Sequence, residues 1–111
     1  MYKLYGIPNC NTVKKAQVAL KDKGIEFEFI NFKKSPPTST LIKQWKAAFG
    51  DWPVNKKGPT YRKIKEDFEA ASSPQKTKIL CETSSALKRP ILVRDNSVIC
   101  FGLDLEKYNE L

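Results

Sequence analysis

The stretch Tyr2-Lys3-Leu4-Tyr5-Gly6-Ile7-Pro8-Asn9-Cys10-Asn11-Thr12-Val13-Lys14-Lys15-Ala16-Gln17-Val18-Ala19-Leu20 decides how this chain folds. Tyr2–Gly6 is short and alternating, as a strand with two unlike faces requires. Ile7-Pro8-Asn9-Cys10 breaks that pattern with a turn. From Asn11 to Lys23, Val13, Ala16 and Leu20 recur at helical spacing with good helix formers between them. Asn11 or Thr12 can cap the start of this helix, and Gly24 suits its end. Ile25–Phe32 opens with apolar and polar residues in alternation, which predicts a second strand. A helical crossover of this length brings that strand back parallel to the first.

Outward from this strand–helix–strand unit the pattern changes. Ser35-Pro36-Pro37-Thr38 is a break. Thr38 or Ser39 then caps a helix that carries Leu41, Ile42, Trp45 and Phe49 on one stripe, and Gly50-Asp51-Trp52-Pro53 stops it. A basic loop, Asn55-Lys56-Lys57-Gly58-Pro59-Thr60, precedes two shorter helices predicted over 60–71 and 74–87, divided by Ser72-Ser73-Pro74. Strands return at the end. Ile91-Leu92-Val93 is a continuous apolar run of the kind buried on both faces. Asp95-Asn96 tolerates positive φ and predicts a hairpin to Val98–Phe101. Asp104 caps a last helix over 105–110. The expected class is α/β, in the order βαβ…ββα. The chain reads as one domain over 1–111, with a helical insert at about 36–87. Pro36-Pro37 is a joint within it and not a linker.

Composition narrows the chemistry. The 111 residues are 41% apolar and 29% charged, which describes a globular chain. There is no histidine among them. Cys–His and Ser–His nucleophile pairs, histidine zinc sites and histidine proton shuttles are therefore excluded. Three cysteines cannot close a four-thiolate site, so no metal is expected. Cys10, Cys81 and Cys100 are odd in number and widely spaced, and Val13 stands where a CxxC pair would need its second thiol. They read as reduced thiols in a reducing compartment. Met1 leads straight into the first strand without a charged and apolar leader, and no apolar run is long enough to span a bilayer. The expectation is a cytoplasmic monomer with no membrane partner.

The 20 Lys and Arg against 12 Asp and Glu give a net charge of +8, which raises the question of nucleic acid. The basic residues are spread along both halves of the chain, and a solvated lysine coat accounts for them. No direct nucleic-acid partner is expected. All but three of these cations are lysine. The exceptions are Arg62, Arg89 and Arg94, and arginine alone offers a planar fork to carboxylates and oxyanions. Arg94 lies beside the Asp95-Asn96 turn and reads as surface charge. Arg62 comes after a Gly-Pro turn, and Arg89 directly precedes Pro90 at the head of the apolar strand.

Cys10 lies between a strand and the first turn of a helix. Helix-start N–H groups and the macrodipole both favour an anion there. Lys14, one turn on, adds a cation near the same end. Such surroundings lower a thiol pKa and expose a nucleophilic thiolate. The alternative is a small buried cysteine in an ordinary turn. Packing is the plain reading of Cys81 and Cys100.

The residues Tyr5–Cys10 with Lys14-Lys15-Ala16, then Lys57–Lys63, then Leu87-Lys88-Arg89-Pro90-Ile91-Leu92, resemble the arsenate-reductase-like (ArsC/Spx) family of thioredoxin-fold proteins over the full length, nearest its YffB-like branch. The resemblance implies that Cys10 is the catalytic cysteine and that Arg62 and Arg89 match two of three oxyanion-binding arginines. It also implies a cis Arg89–Pro90 bond facing the thiol. The third arginine falls near Cys100-Phe101-Gly102, where this chain has none, which weakens an arsenate clamp. Val13 likewise removes the CxxC switch of Spx-type regulators. A monothiol with two arginines suits glutathione, whose carboxylates meet arginine and whose thiol resolves a mixed disulfide. The expected site is Cys10, Arg62 and Arg89, with Asn9, Asn11, Lys14 and Pro90 contacting substrate. The expected function is glutathione-dependent thiol oxidoreduction. Arsenate reduction with a weakened clamp and an Spx-like regulator without catalysis are the alternatives. Expected partners are glutathione or a small oxyanion, and glutaredoxin or a protein disulfide. An RNA polymerase subunit ranks below these.

Overall fold

A computed structural model describes all 111 residues. Its elements run in the order β1 (Tyr2–Gly6), α1 (Asn11–Asp22), β2 (Phe27–Asn31), α2 (Ser39–Phe49), α3 (Pro59–Ala70), α4 (Ser73–Glu82), β3 (Ile91–Arg94), β4 (Ser97–Phe101) and α5 (Leu105–Asn109), with a 3-10 turn at Ser84–Ala86. Two units make up the chain, one of residues 1–35 with 89–111 and one of residues 36–88. No helix is long and apolar enough to cross a membrane.

The first unit holds a four-stranded mixed sheet in the order β2-β1-β3-β4. β1 and β2 are parallel, as their helical crossover requires, and β3 runs antiparallel to both β1 and β4. This is the α/β, thioredoxin-like arrangement. The two central strands are the most apolar ones: Leu4, Ile91 and Leu92 are fully buried. α1 turns Ala16 and Leu20 onto Leu4, Leu92, Cys100 and Tyr108, with Phe27, Phe29 and Leu103 packed around them. The predicted hairpin forms through Asp95 and Asn96, both at positive φ (48° and 71°). Asp104 caps α5, its carboxylate accepting the Lys107 N–H at 3.3 Å. The strand predicted from Ile25 starts two residues later, at Phe27. Ile25 instead donates its N–H to the Leu20 carbonyl at the end of α1.

The second unit is helical. Thr38 is the cap of α2, its hydroxyl accepting the Leu41 N–H at 3.2 Å. Ile42, Trp45, Val54, Tyr61, Phe68, Leu80 and Leu87 are buried. Two predictions are corrected here. Phe49 lies outside the buried stripe, 40% exposed, with the Lys88 ammonium 5.3 Å from its ring centre. The helix predicted over 74–87 ends at Glu82. Beyond Thr83 the backbone exchanges helical bonds for pairing with residues 53–55: Asn55 donates to the Ala86 carbonyl, Lys88 to that of Pro53, and Val54 bridges Leu87. That pairing buries Ala86 and Leu87.

One buried polar atom stands out in the sheet unit. The Tyr108 hydroxyl, on a fully buried side chain, has no oxygen or nitrogen partner; only the weakly accepting Cys100 sulfur stands beside it. Removing an unsatisfied buried hydroxyl costs little. Tyr108→Phe is therefore expected to stay within about 1 kcal/mol of the parent in urea denaturation, or to exceed it. A loss of more than about 2 kcal/mol would show that the hydroxyl has a partner.

Candidate active site

The site is built from the way β1 hands over to α1. Gly6 ends the strand where a side chain has no room: a Cβ there would stand 2.8 Å from Cγ2 of Val13. The strand end and the first turn of α1 therefore meet closely. Ile7, Pro8 and Asn9 turn the chain, and Cys10 takes the N-cap position in an extended conformation. Neither Asn11 nor Thr12 caps the helix. Both already belong to it, and the first helical bond runs from the Lys14 N–H to the Cys10 carbonyl at 3.0 Å. The residue that sequence marks as reactive is thus also the residue at which the orphan amides of the helix converge.

That position decides the thiol's chemistry. Partial burial pushes the Cys10 thiol up. The backbone N–H groups of Val13 and Thr12, the Arg89 guanidinium and the Thr12 hydroxyl all pull the other way. The outcome is a thiol lowered from its ordinary range. No acidic residue stands in the first turn of α1 to compete for those amides. Lys14, expected to add to this lowering, is exposed and is not among the groups that lower the thiol. Solvent screens an exposed ammonium, whereas the half-buried Arg89 keeps its field.

Arg89 stands two residues before β3, next to Pro90. The Arg89–Pro90 bond is cis, and Pro90 is buried at the head of β3. The Gly102 N–H donates to the Pro90 carbonyl at 2.8 Å. Gly102 does so at φ +78°, a conformation that a side chain would strain. Thr12, Val13 and Gly102 are the contributors that sequence reading passed over. The first two act mainly through backbone N–H groups, and the third through a bond spanning two strands, so none of them has a motif.

The remaining candidates divide by unit. Asn9 and Asn11 are exposed on either side of Cys10, and Pro90 lies within the same sheet unit. Arg62 is exposed on α3 of the helical unit, its N–H on the Gly58 carbonyl at 3.3 Å. The other two thiols have opposite surroundings from Cys10. Burial and Glu82 raise Cys81 on α4, and burial raises Cys100 in β4 despite Lys107. All three cysteines are free. No cluster of three or more His, Cys, Asp or Glu side chains stands where it could hold a metal ion.

Comparison with known proteins adds the lineage. The family model described as the ArsC family matches residues 5–111. An uncharacterised protein of Haemophilus influenzae is 33% identical over 97% of this chain and 96% of its own length. Among solved structures, the YffB protein superposes with a TM-score of 0.87 at 28% identity, covering 99% of this chain and 97% of that one. A possible arsenate reductase from Streptococcus mutans superposes at 0.78 and 28% identity, covering 92% and 90%.

The site predicts how the Cys10 thiol responds to substitution. Arg89→Ala removes a cation and Thr12→Val a hydroxyl that both favour the thiolate, so each moves half-maximal alkylation of Cys10 to higher pH. Lys14→Ala leaves it where it was. Iodoacetamide rates against pH, with peptide mapping to exclude Cys81 and Cys100, check this order.

Proposed function

Since the chain belongs to the ArsC family, we propose that it is a glutathione-dependent thiol oxidoreductase with Cys10 as its nucleophile. The observation that carries this reading is the lowered Cys10 thiol at the N-cap of α1, with Arg89 acting on it. In the proposed cycle the Cys10 thiolate attacks one sulfur of a disulfide substrate. A Cys10 mixed disulfide forms, and the other sulfur leaves as a thiolate with the electron pair. A glutathione thiolate then attacks the mixed disulfide and regenerates the Cys10 thiolate. With glutathione as both adduct and reductant, the released product is glutathione disulfide. The proposed cycle draws on no general base: the helix-start amides and Arg89 favour the thiolate form of Cys10. Arg62 and Arg89 are assigned to the carboxylates of glutathione, with Asn9, Asn11, Lys14 and Pro90 as further contacts.

A second reading is arsenate reduction. It draws on the family and on structural relatives described as arsenate reductases. Against it stands the segment Cys100-Phe101-Gly102, which holds no arginine to complete an oxyanion clamp.

Turnover decides between them. Coupled to NADPH and glutathione reductase, the protein is expected to reduce a small organic disulfide, with arsenate reduction far slower. Cys10→Ser abolishes turnover. Arg62→Ala and Arg89→Ala each lower kcat/KM by about 10- to 100-fold, the usual effect of losing a charge-assisted hydrogen bond. Arsenate turnover matching that of the disulfide would favour the second reading. Full activity in Cys10→Ser would reject both.

A further inference from the structure

Four large apolar side chains are exposed in this chain: Met1, Val18, Phe49 and Leu105. Two of them share one surface depression. Val18 and Ala19, on the outer side of α1, face Leu103 and Leu105 at the start of α5, around a cavity of about 400 Å3. Lys14, Lys15 and Asp22 form its rim. Its walls are held in place. The Lys23 ammonium donates to the Asn109 carbonyl at 2.7 Å, joining the far ends of α1 and α5, and Asp104 caps α5 immediately before Leu105. The groove therefore exists before anything fills it.

Three features narrow the occupant. Val18 and Leu105 are 56% and 55% exposed, so the walls are open, and a small molecule would keep much of its surface in water. A stretch of polypeptide, which extends past the groove on both sides, suits it better. The rim carries two cations and one anion on a chain of net charge +8, so a second copy would set lysine against lysine. An acidic partner meets the opposite sign. The groove also begins one helical turn from Cys10. Val18 lies eight residues beyond the thiol, about 12 Å along the axis of α1. An extended chain covers that span in about four residues.

Resting on the thiol chemistry proposed for Cys10, we propose that this groove docks an acidic, leucine-bearing segment of a protein thiol partner, about four residues from the partner cysteine that exchanges with Cys10. In that exchange the Cys10 thiolate bonds to the partner sulfur, and the group previously on that sulfur leaves with the electron pair.

The test compares three probes on one protein. Peptides of sequence Cys-Gly-Glu-Leu-Leu-Glu and Cys-Gly-Glu-Ser-Ser-Glu, and glutathione, are each supplied as mixed disulfides with thionitrobenzoate, whose release is followed by colour. The leucine peptide is expected to react about tenfold faster than the serine peptide, the effect of partly burying a leucine. Val18→Glu and Leu105→Glu, both on exposed positions, remove that preference and leave the glutathione rate unchanged. Equal rates for the two peptides, with glutathione reacting normally, overturn the groove assignment alone. So does a peptide with lysine in place of glutamate that reacts as fast, or a dimer in sedimentation that Val18→Glu abolishes. Release from the glutathione probe that persists in Cys10→Ser overturns the proposed function, and this inference with it.

Discussion

The arrangement depends on one close approach. The end of β1 and the first turn of α1 meet at Gly6 and Val13, and only a residue without a side chain allows it. That contact, with Ala16 and Leu20 anchored on Leu4 and Leu92, fixes where the helix begins. The helix begins at Cys10. Its orphan N–H groups then have a sulfur before them and no side-chain oxygen, and the dipole of the whole helix acts on the same atom. A chain with no histidine thereby lowers a thiol pKa without a base. Backbone geometry and a guanidinium do here what a neighbouring histidine could otherwise do for a thiol.

The three cysteines show how far environment governs a single residue type. Cys10 is lowered by amides and a guanidinium, Cys81 is raised by burial and a neighbouring carboxylate, and Cys100 is raised by burial among core side chains. A reagent that selects thiolates is therefore expected to favour Cys10 over Cys81 and Cys100. Charge is divided in a similar way. Most of the lysines are exposed and screened, and the cation that matters to the thiol is a half-buried arginine held at the head of β3.

Much of this is legible in sequence, for physical reasons. The strand–turn–helix of residues 2–22 can be read because its periodicity changes from two to 3.6 on either side of Pro8. The hairpin is legible because Asp95-Asn96 is chemically suited to positive φ. What escapes is non-local. Asn11 and Thr12 are better caps than cysteine by residue preference, yet packing of β1 on α1 starts the helix earlier. Lys14 looks like the activating cation because it is near Cys10 in sequence, whereas Arg89 arrives from the far end of the chain. The helix through Leu87 fails because residues 53–55, some thirty positions away, compete for its backbone. The Gly102 bond to Pro90 crosses two strands and leaves no local trace. Arg62 is found from its motif, and motif is still the ground on which its role rests.

The helix start and Arg89 lower the Cys10 thiol. The most direct measurement of this is the ultraviolet absorbance of the thiolate, titrated with pH as the difference between the parent protein and Cys10→Ser. A single transition below about 8.5, the value of a free cysteine, is expected. A transition at or above that value would contradict it.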